Sequence, residues 1–240
     1  MPSDDQLINQ IVSTIQKIEN LVKQLVDTIN TVLSFVPFFL KWVVDVVKRG
    51  MDRFFALLKQ FWDWMSNILS HMGSPSAVSA TANAWSDHVG APVSAEVGNA
   101  DQGALMVDDN WTGRAAGIYK SILGPQKSAL AAIKTTFTDG IALVLSQFRT
   151  AIWVFWGALI AAVGILVAGV IAGLASADTI LGLPATPVLI IGAVALCAAS
   201  CFTGAEILKS AAASANTQLR ARLDDSTAFP GNKWPSGVLH

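Results

Sequence analysis

Two long stretches without charge, near the carboxyl end of the chain, constrain its fold most. Residues 150–177 and 179–205 contain no Asp, Glu, Lys, Arg or His, and only Asp178 separates them. A helix needs about 20 apolar residues to cross a bilayer core. In lipid the backbone must satisfy its own hydrogen bonds, which favours helices. The sequence therefore predicts an all-α protein with a transmembrane helical hairpin over residues 150–207.

The composition agrees with membrane association. Hydrophobic residues make up 52% of the chain and charged residues 14%, against about 25% charged residues in soluble domains. The formal net charge of −1 gives no electrostatic reason to bind nucleic acid. Arg149 and Lys209 flank the apolar hairpin, whereas its turn carries only Asp178. The positive-inside bias therefore predicts cytoplasmic flanks and an outer turn.

Small residues recur along the first apolar stretch and predict close helix packing there. They are Gly157, Ala161, Gly164, Gly169 and Gly173. In the second stretch Cys197 and Cys201 lie four residues apart, which places them side by side on one helix face. This arrangement suits neither a mutual disulfide nor a metal site, and we interpret both thiols as small packing residues.

The amino-terminal segment carries an apolar seam at helical spacing. Its members recur every three or four residues: Ile8, Ile11, Ile15, Ile18, Val22, Leu25, Ile29 and Val32. Such a heptad pattern predicts a coiled coil, and Ile at both core positions favours three or more strands. Homo-oligomerisation through this seam and packing of one amphipathic helix against its own chain are equally compatible with the pattern.

Aromatic residues are concentrated between residues 35 and 65. We interpret six of them as membrane-interface residues: Trp42, Phe54, Phe55, Phe61, Trp62 and Trp64. Charges in this segment recur at intervals of three, four or seven and form one narrow polar stripe. Because Lys and Asp are balanced along it, burial in an assembly is the competing interpretation.

A small, polar stretch at residues 73–84 marks a boundary. Beyond it, Asp108-Asp109-Asn110-Trp111-Thr112-Gly113 lies between two segments of helical character. Acidic and Asn side chains can cap the following helix, Gly allows a tight turn, and Trp can pin a hairpin. Breaks are expected at Gly90 and Pro92 in the first helix and at Gly124-Pro125 in the second.

Residues 76–150 resemble the Trp-Xaa-Gly (WXG, ESAT-6-like) family of type VII secretion proteins, which are small helical hairpins. Trp111 and Gly113 match the family motif, and Ala115, Ala116 and Tyr119 match its flank. The family's export tag is a Tyr followed four residues later by an acidic residue. It is absent here, because the only Tyr is Tyr119 and Leu123 occupies the fourth position after it. The resemblance implies a small helical WXG-type partner that supplies the tag, or a membrane-resident relative that is not exported.

No catalytic constellation emerges from the sequence. The three histidines, His71, His88 and His240, are scattered, and Asp108 and Asp109 are better explained as helix caps. We predict neither an enzyme nor a cofactor. The predicted organisation is 1–72 for the amphipathic helices, 73–149 for the WXG-like hairpin, 150–207 for the membrane hairpin and 208–240 for a helix end with an irregular, mobile tail.

Two functions are the main candidates from the sequence, and a plain membrane-shaping or anchoring protein, for which the Trp-Xaa-Gly match is chance, is a third possibility. The first is a self-assembling scaffold, adaptor or substrate of a type VII-like secretion system at the bacterial cell membrane, as the resemblance implies. The second is a secreted pore former that hides its apolar helices and oligomerises in a target bilayer. In both, the partners are the bilayer and further copies of the chain.

Overall fold

Every regular element among the described residues is helical, which confirms the all-α prediction. The computed structural model describes residues 4–71, 73–106 and 110–237. Asp108 and Asp109, which were predicted to cap a helix, and His240 lie outside these residues. The long helices are α1 Asp4–Ser34, α2 Lys41–His71, α5 Arg114–Ala132, α6 Asp139–Ala177 and α7 Thr186–Leu223, and the short ones are α3 Pro75–Trp85 and α4 Ala91–Glu96.

The chain divides into two compact units that do not coincide with the four sequence segments. The first comprises Met1–Ser74 and Ile152–Leu208, and the second Pro75–Ala151 and Lys209–His240. Helices α6 and α7 each contribute one part to either unit. The amino-terminal helices therefore belong with the apolar hairpin, and the WXG-like region belongs with the carboxyl-terminal end.

In the first unit, α1 and α2 form a helical hairpin with a short aromatic connection. Pro37 is extended, with φ −64° and ψ 150°. Helix α1 ends before it, because a residue that precedes proline disfavours the helical conformation. A single 3-10 turn, Phe38–Leu40, then leads into α2. Each helix buries one apolar stripe: Leu7, Ile11, Ile18, Leu25 and Ile29 from α1, and Val43, Val47, Met51, Phe54, Leu58, Phe61 and Met65 from α2.

The same unit contains the apolar hairpin of α6 and α7. Its turn is held by hydrogen bonds from the amides of Gly182 and Leu183 to the carbonyl of Thr179, at 3.1 and 3.0 Å. The hydroxyls of Ser176 and Thr186 lie 2.8 Å apart and join the two helix ends. The predicted hairpin is therefore present, with a compact turn between Ala177 and Thr186.

Helix α2 runs parallel to α7 within the first unit. Gly50 lies directly against the ring of Pro187, with no room for a side chain between them. Further along both helices, Phe61 and Trp64 share a groove of about 410 Å³ with Ala198 and Phe202. These contacts fix the register, so that residues 50–64 of α2 lie alongside residues 187–202 of α7.

In the second unit, a helical hairpin forms around two π turns. The turns Ser86–Gly90 and Ile133–Thr138 interrupt the α-helical hydrogen bonding of the two arms and lie against each other. A Cβ atom on Gly90 would lie 2.6 Å from the hydroxyl of the buried Thr138. The close approach of the two arms therefore requires glycine at this position.

The first arm is interrupted at Gly90, as expected, but only by the π turn Ser86–Gly90, whereas the breaks expected at Pro92 and Gly124-Pro125 are wrong. The first arm continues from Ser86–Gly90 into α4 with Pro92 as its second residue. The preceding π turn, in which the Ala91 amide bonds to the Ser86 carbonyl, accommodates the proline. Pro125 lies inside α5 on its exposed side, while Leu123 and Ala129 are buried. Burial of that face retains the helix, and solvent can satisfy the carbonyl that proline leaves without a donor.

The carboxyl-terminal tail is docked rather than idle. Phe229 contacts Phe137 and Trp234, with ring centroids 5.7 and 5.9 Å apart. The Gln126 side chain accepts a hydrogen bond from the Trp234 indole and donates one of 2.6 Å to the carbonyl of Pro235. The expectation of a mobile end is therefore wrong, because these aromatic rings have partners within their own unit.

Candidate membrane-inserting site

Both apolar helices leave one side uncovered. Two helices, Arg114–Ala177 and Thr186–Leu223, contain segments long and apolar enough to cross a membrane, and 39% and 33% of those segments is buried. A core helix of a soluble protein would be mostly buried, whereas here more than half of each segment is left uncovered. The exposed large side chains include Val154, Ile165, Ile171, Val188, Leu189, Leu196 and Phe202. Contiguous apolar surface of this kind marks an interaction site.

The small residues of the first apolar stretch divide between two sides. Gly169 lies against Ala193, and a Cβ on Gly173 would be 2.5 Å from Ile190. These two glycines lie where α6 approaches α7. Gly157, Ala161 and Gly164 are exposed. A Cβ atom added to Gly157 or to Gly164 would meet no neighbour within 4 Å.

Charged side chains of α2 lie at the same level along the helix axes as the apolar hairpin. Asp52, Arg53, Lys59 and Asp63 are exposed and fall between the two contact points that fix the register with α7. Lys59 and Asp63 form an ion pair of 2.7 Å. One charge at the centre of a spanning helix costs at least about 2.5–3.5 kcal/mol. The first unit as packed therefore cannot be immersed in hydrocarbon.

The seam of α1 is largely occupied within one chain. Ile11, Ile18, Leu25 and Ile29 are buried, Ile15, Val22 and Val32 are half-buried, and Ile8 is exposed. Leu7 is buried where the heptad pattern places Ile8. Packing against the same chain thus accounts for most of the seam.

The six aromatics of α2 do not form one surface. Phe54 and Phe61 are buried, Trp62 and Trp64 are half-buried, and Trp42 and Phe55 are exposed. Buried and exposed aromatics alternate because the rings follow the helical period. Only Trp42 and Phe55 are freely available to lipid in this arrangement.

The most exposed aromatics lie in the α1–α2 connection and at the start of α2, and of these only Trp42 belongs to the predicted interface residues. Phe35, Phe38, Phe39 and Trp42 are 72, 91, 79 and 56% exposed. A signal was available: Pro37 marks a helix end, and no charged residue occurs between Asp27 and Lys41. We refer to Phe35, Phe38, Phe39 and Trp42 as the aromatic tip.

Two indole groups at the start of the apolar stretch are not satisfied. The Nε1 atoms of Trp153 and Trp156 are buried and have no hydrogen-bond acceptor among the described residues. A buried donor without a partner costs about 1–3 kcal/mol. At the headgroup level of a bilayer, indole N–H groups find acceptors.

The WXG-like turn lies directly before α5. Gly113 has φ 99° and ψ −177°, a backbone conformation that is essentially confined to glycine. Trp111 is 42% exposed and its ring lies 5.4 Å from that of Tyr119, on the following helix. The Trp ring thus packs along its own arm of the hairpin.

A salt bridge lies in the connection that precedes this turn. Lys127 pairs with Asp101, whose carboxylate also accepts a 3.1 Å hydrogen bond from the Gly103 amide. The hydrogen bond from Lys127, the one from Gly103 and the positive charge of Lys127 lower the pKa of Asp101.

Within residues 4–71, 73–106 and 110–237, no group of three or more His, Cys, Asp or Glu side chains is arranged to hold a metal ion. Cys197 and Cys201 are free thiols buried in the first unit. No protein-family model, curated protein or solved structure matches this chain.

Proposed function

We propose that the chain is a membrane-inserting helical protein that carries its apolar hairpin partly covered by α2. The observation that supports this is the parallel packing of α2 on α7. It places Asp52, Arg53, Lys59 and Asp63 at the same level along the helix axes as residues 187–202. Insertion of the hairpin therefore requires α2 to separate from α7. The packed unit would be the form of the protein before insertion, and the bilayer would replace α2 as the partner of the hairpin.

The exposed side of the hairpin also suits self-assembly once α2 has left. Gly157, Ala161 and Gly164 present a small-residue surface, and such surfaces let membrane helices approach closely. Release of α1 would make its Ile/Val seam available to further copies. A homo-oligomer of the inserted hairpin is the form in which this protein would permeabilise a membrane.

A reversible cross-link between α2 and α7 tests the proposal. In a Cys197→Ala, Cys201→Ala background, Gly50→Cys and Pro187→Cys place two thiols at the observed contact. A Cβ on Gly50 would lie 2.3 Å from that of Pro187. A disulfide needs about 3.8 Å between its Cβ atoms, so the two helices must separate by about 1.5 Å when it forms. We expect the oxidised protein to release no dye from liposomes and the reduced protein to release it. Equal release in both states would contradict the need for separation.

A second candidate function rests on the turn of the second unit. The glycine-specific conformation of Gly113, between two helical arms, supports a WXG-type role as adaptor or substrate in type VII secretion. Light scattering in mild detergent tests it. A one-to-one complex with a co-expressed WXG-type partner carrying the export tag, lost in Trp111→Ala, is expected; a homo-oligomer alone would favour the membrane-inserting function.

A further inference from the structure

We propose that the aromatic tip is the site at which the packed protein first binds a bilayer, with a preference for anionic lipid. This inference rests on the proposed membrane insertion and adds to it the docking surface. Phe38 and Phe39 are 91 and 79% exposed, far more than folding within the chain would leave for two adjacent Phe side chains. Phe and Trp rings partition into the interface between headgroups and acyl chains.

The tip is held in shape by its backbone. The amides of Phe35 and Val36 donate to Val32 and Leu33, at 3.1 and 3.2 Å, and the Leu40 amide donates to the Pro37 carbonyl at 2.9 Å. Because these bonds already order the connection, binding at this site involves little further loss of backbone freedom. The rings are therefore presented by a preformed turn.

The register of α2 on α7 places the tip at the same end of the unit as the turn of the apolar hairpin. Gly50 contacts Pro187, which follows the first residue of α7. Lys41 lies nine residues before Gly50, about 14 Å further along the axis at 1.5 Å per residue. Leu181 in the hairpin turn is 92% exposed. The tip therefore extends about 14 Å beyond the start of α7, at the same end of the unit as the exposed Leu181, and would meet the bilayer before the hairpin does.

The charges behind the tip complement an anionic surface. Within the first nine residues of α2, Lys41, Lys48 and Arg49 are exposed against the single acidic residue Asp45. Each basic residue near an anionic leaflet contributes about 1 kcal/mol, provided that it lies within a Debye length of the surface. Aromatic rings that enter the interface and basic residues directly behind them are the combination expected of a reversible membrane anchor.

The disulfide-locked protein separates docking from insertion. We expect the oxidised Gly50→Cys, Pro187→Cys protein to co-sediment with phosphatidylglycerol-rich vesicles without releasing their dye. Adding Phe38→Ser and Phe39→Ser should lower its vesicle partition coefficient about tenfold or more, since each ring loses apolar burial. Ile8→Ser, which alters an exposed residue near the other end of α1, should leave binding within about twofold.

The outcomes distinguish failure of docking by the tip from failure of membrane insertion. A locked protein that does not bind vesicles, while the reduced form binds and releases dye, would overturn docking by the tip and leave insertion standing. The same holds if Phe38→Ser and Phe39→Ser bind as the parent does. A reduced protein that neither binds nor releases dye would overturn both proposals. Equal binding to phosphatidylcholine vesicles would overturn the role of the basic residues.

Discussion

At the scale of single residues, Gly50 controls how closely α2 approaches α7. A Cβ atom at this position would overlap the Pro187 side chain. We expect Gly50→Ala to destabilise the first unit by about 1–3 kcal/mol through overpacking, although alanine favours helix by up to about 1 kcal/mol. The measurement is denaturant unfolding followed by circular dichroism.

Gly157→Ala is the matched control for Gly50→Ala. Gly157 also lies in a helix of the same unit, but a Cβ there meets nothing within 4 Å. Only the propensity gain should remain, so this variant should be as stable as the parent or more stable. Loss of stability in both variants would refute the assignment of Gly50 as a packing contact.

The Asp101–Lys127 pair gives a pH dependence whose sign is fixed. The pKa of Asp101 is lowered in the folded protein from 3.8, first by its hydrogen bond with Lys127. The stabilisation is complete above the unfolded pKa and is lost as the pH falls through the folded pKa. Lys127→Ala should raise the pKa of Asp101 towards 3.8, as measured by carboxyl NMR titration.

Asp225 provides an internal control in the same titration. Its pKa is also lowered, but by hydrogen bonds from Thr227 rather than by a lysine. Lys127→Ala should therefore leave the titration of Asp225 unchanged. An unchanged Asp101 titration would show that the ion pair is not formed in solution.

At the scale of the elements, Gly113 determines how the second arm of the WXG-like hairpin begins. Any other residue would be strained at φ 99° and ψ −177°. Gly113→Ala should therefore lower the stability of the second unit by about 1–3 kcal/mol. Gly117→Ala, in the first turns of the same helix and with open space around its Cβ, should be neutral or stabilising. Thermal unfolding compares the two, and equal effects would contradict this role of Gly113.

The periodicity of the sequence was sufficient to predict the helices, but it was insufficient to predict which helices pack against each other. The uncharged stretches predicted the apolar hairpin because its length and composition are properties of the segments themselves. The Ile/Val seam could not distinguish a neighbouring chain from the protein's own helices, since both present the same apolar stripe. Its packing in one chain became evident only from the burial of Ile18 and Leu25.

Pro125 and the aromatic tip also show that local sequence does not determine exposure or helix ends at single positions. Pro125 was expected to end a helix, yet neighbouring burial retains it on an exposed face. Phe38 and Phe39 belong to the aromatic concentration at residues 35–65, and only the position of the connection between α1 and α2 distinguishes them as exposed. Local propensity describes a segment, whereas exposure depends on contacts that are distant in sequence.

At the scale of the whole molecule, the packed and the inserted forms should respond oppositely to one added charge. Leu196 is 62% exposed on the uncovered side of the apolar hairpin. In water, Leu196→Lys removes exposed apolar surface and should leave the folded state within about 0.5 kcal/mol of the parent. In the bilayer the lysine would lie within a spanning segment, where it costs about 2.5–3.5 kcal/mol.

For Leu196→Lys we therefore expect an unchanged free energy of unfolding in water. We also expect an insertion equilibrium about a hundredfold weaker than that of the parent, since every 1.4 kcal/mol is a factor of ten. Leu223→Lys is the control, because Leu223 is 66% exposed but lies beyond the apolar stretch. Dye release and protease protection of the hairpin measure insertion, and denaturant titration measures folding. If Leu196→Lys inserted as well as Leu223→Lys, residues 179–205 would not enter the hydrocarbon. The uncovered side of α7 would then serve contact with another protein surface instead of lipid.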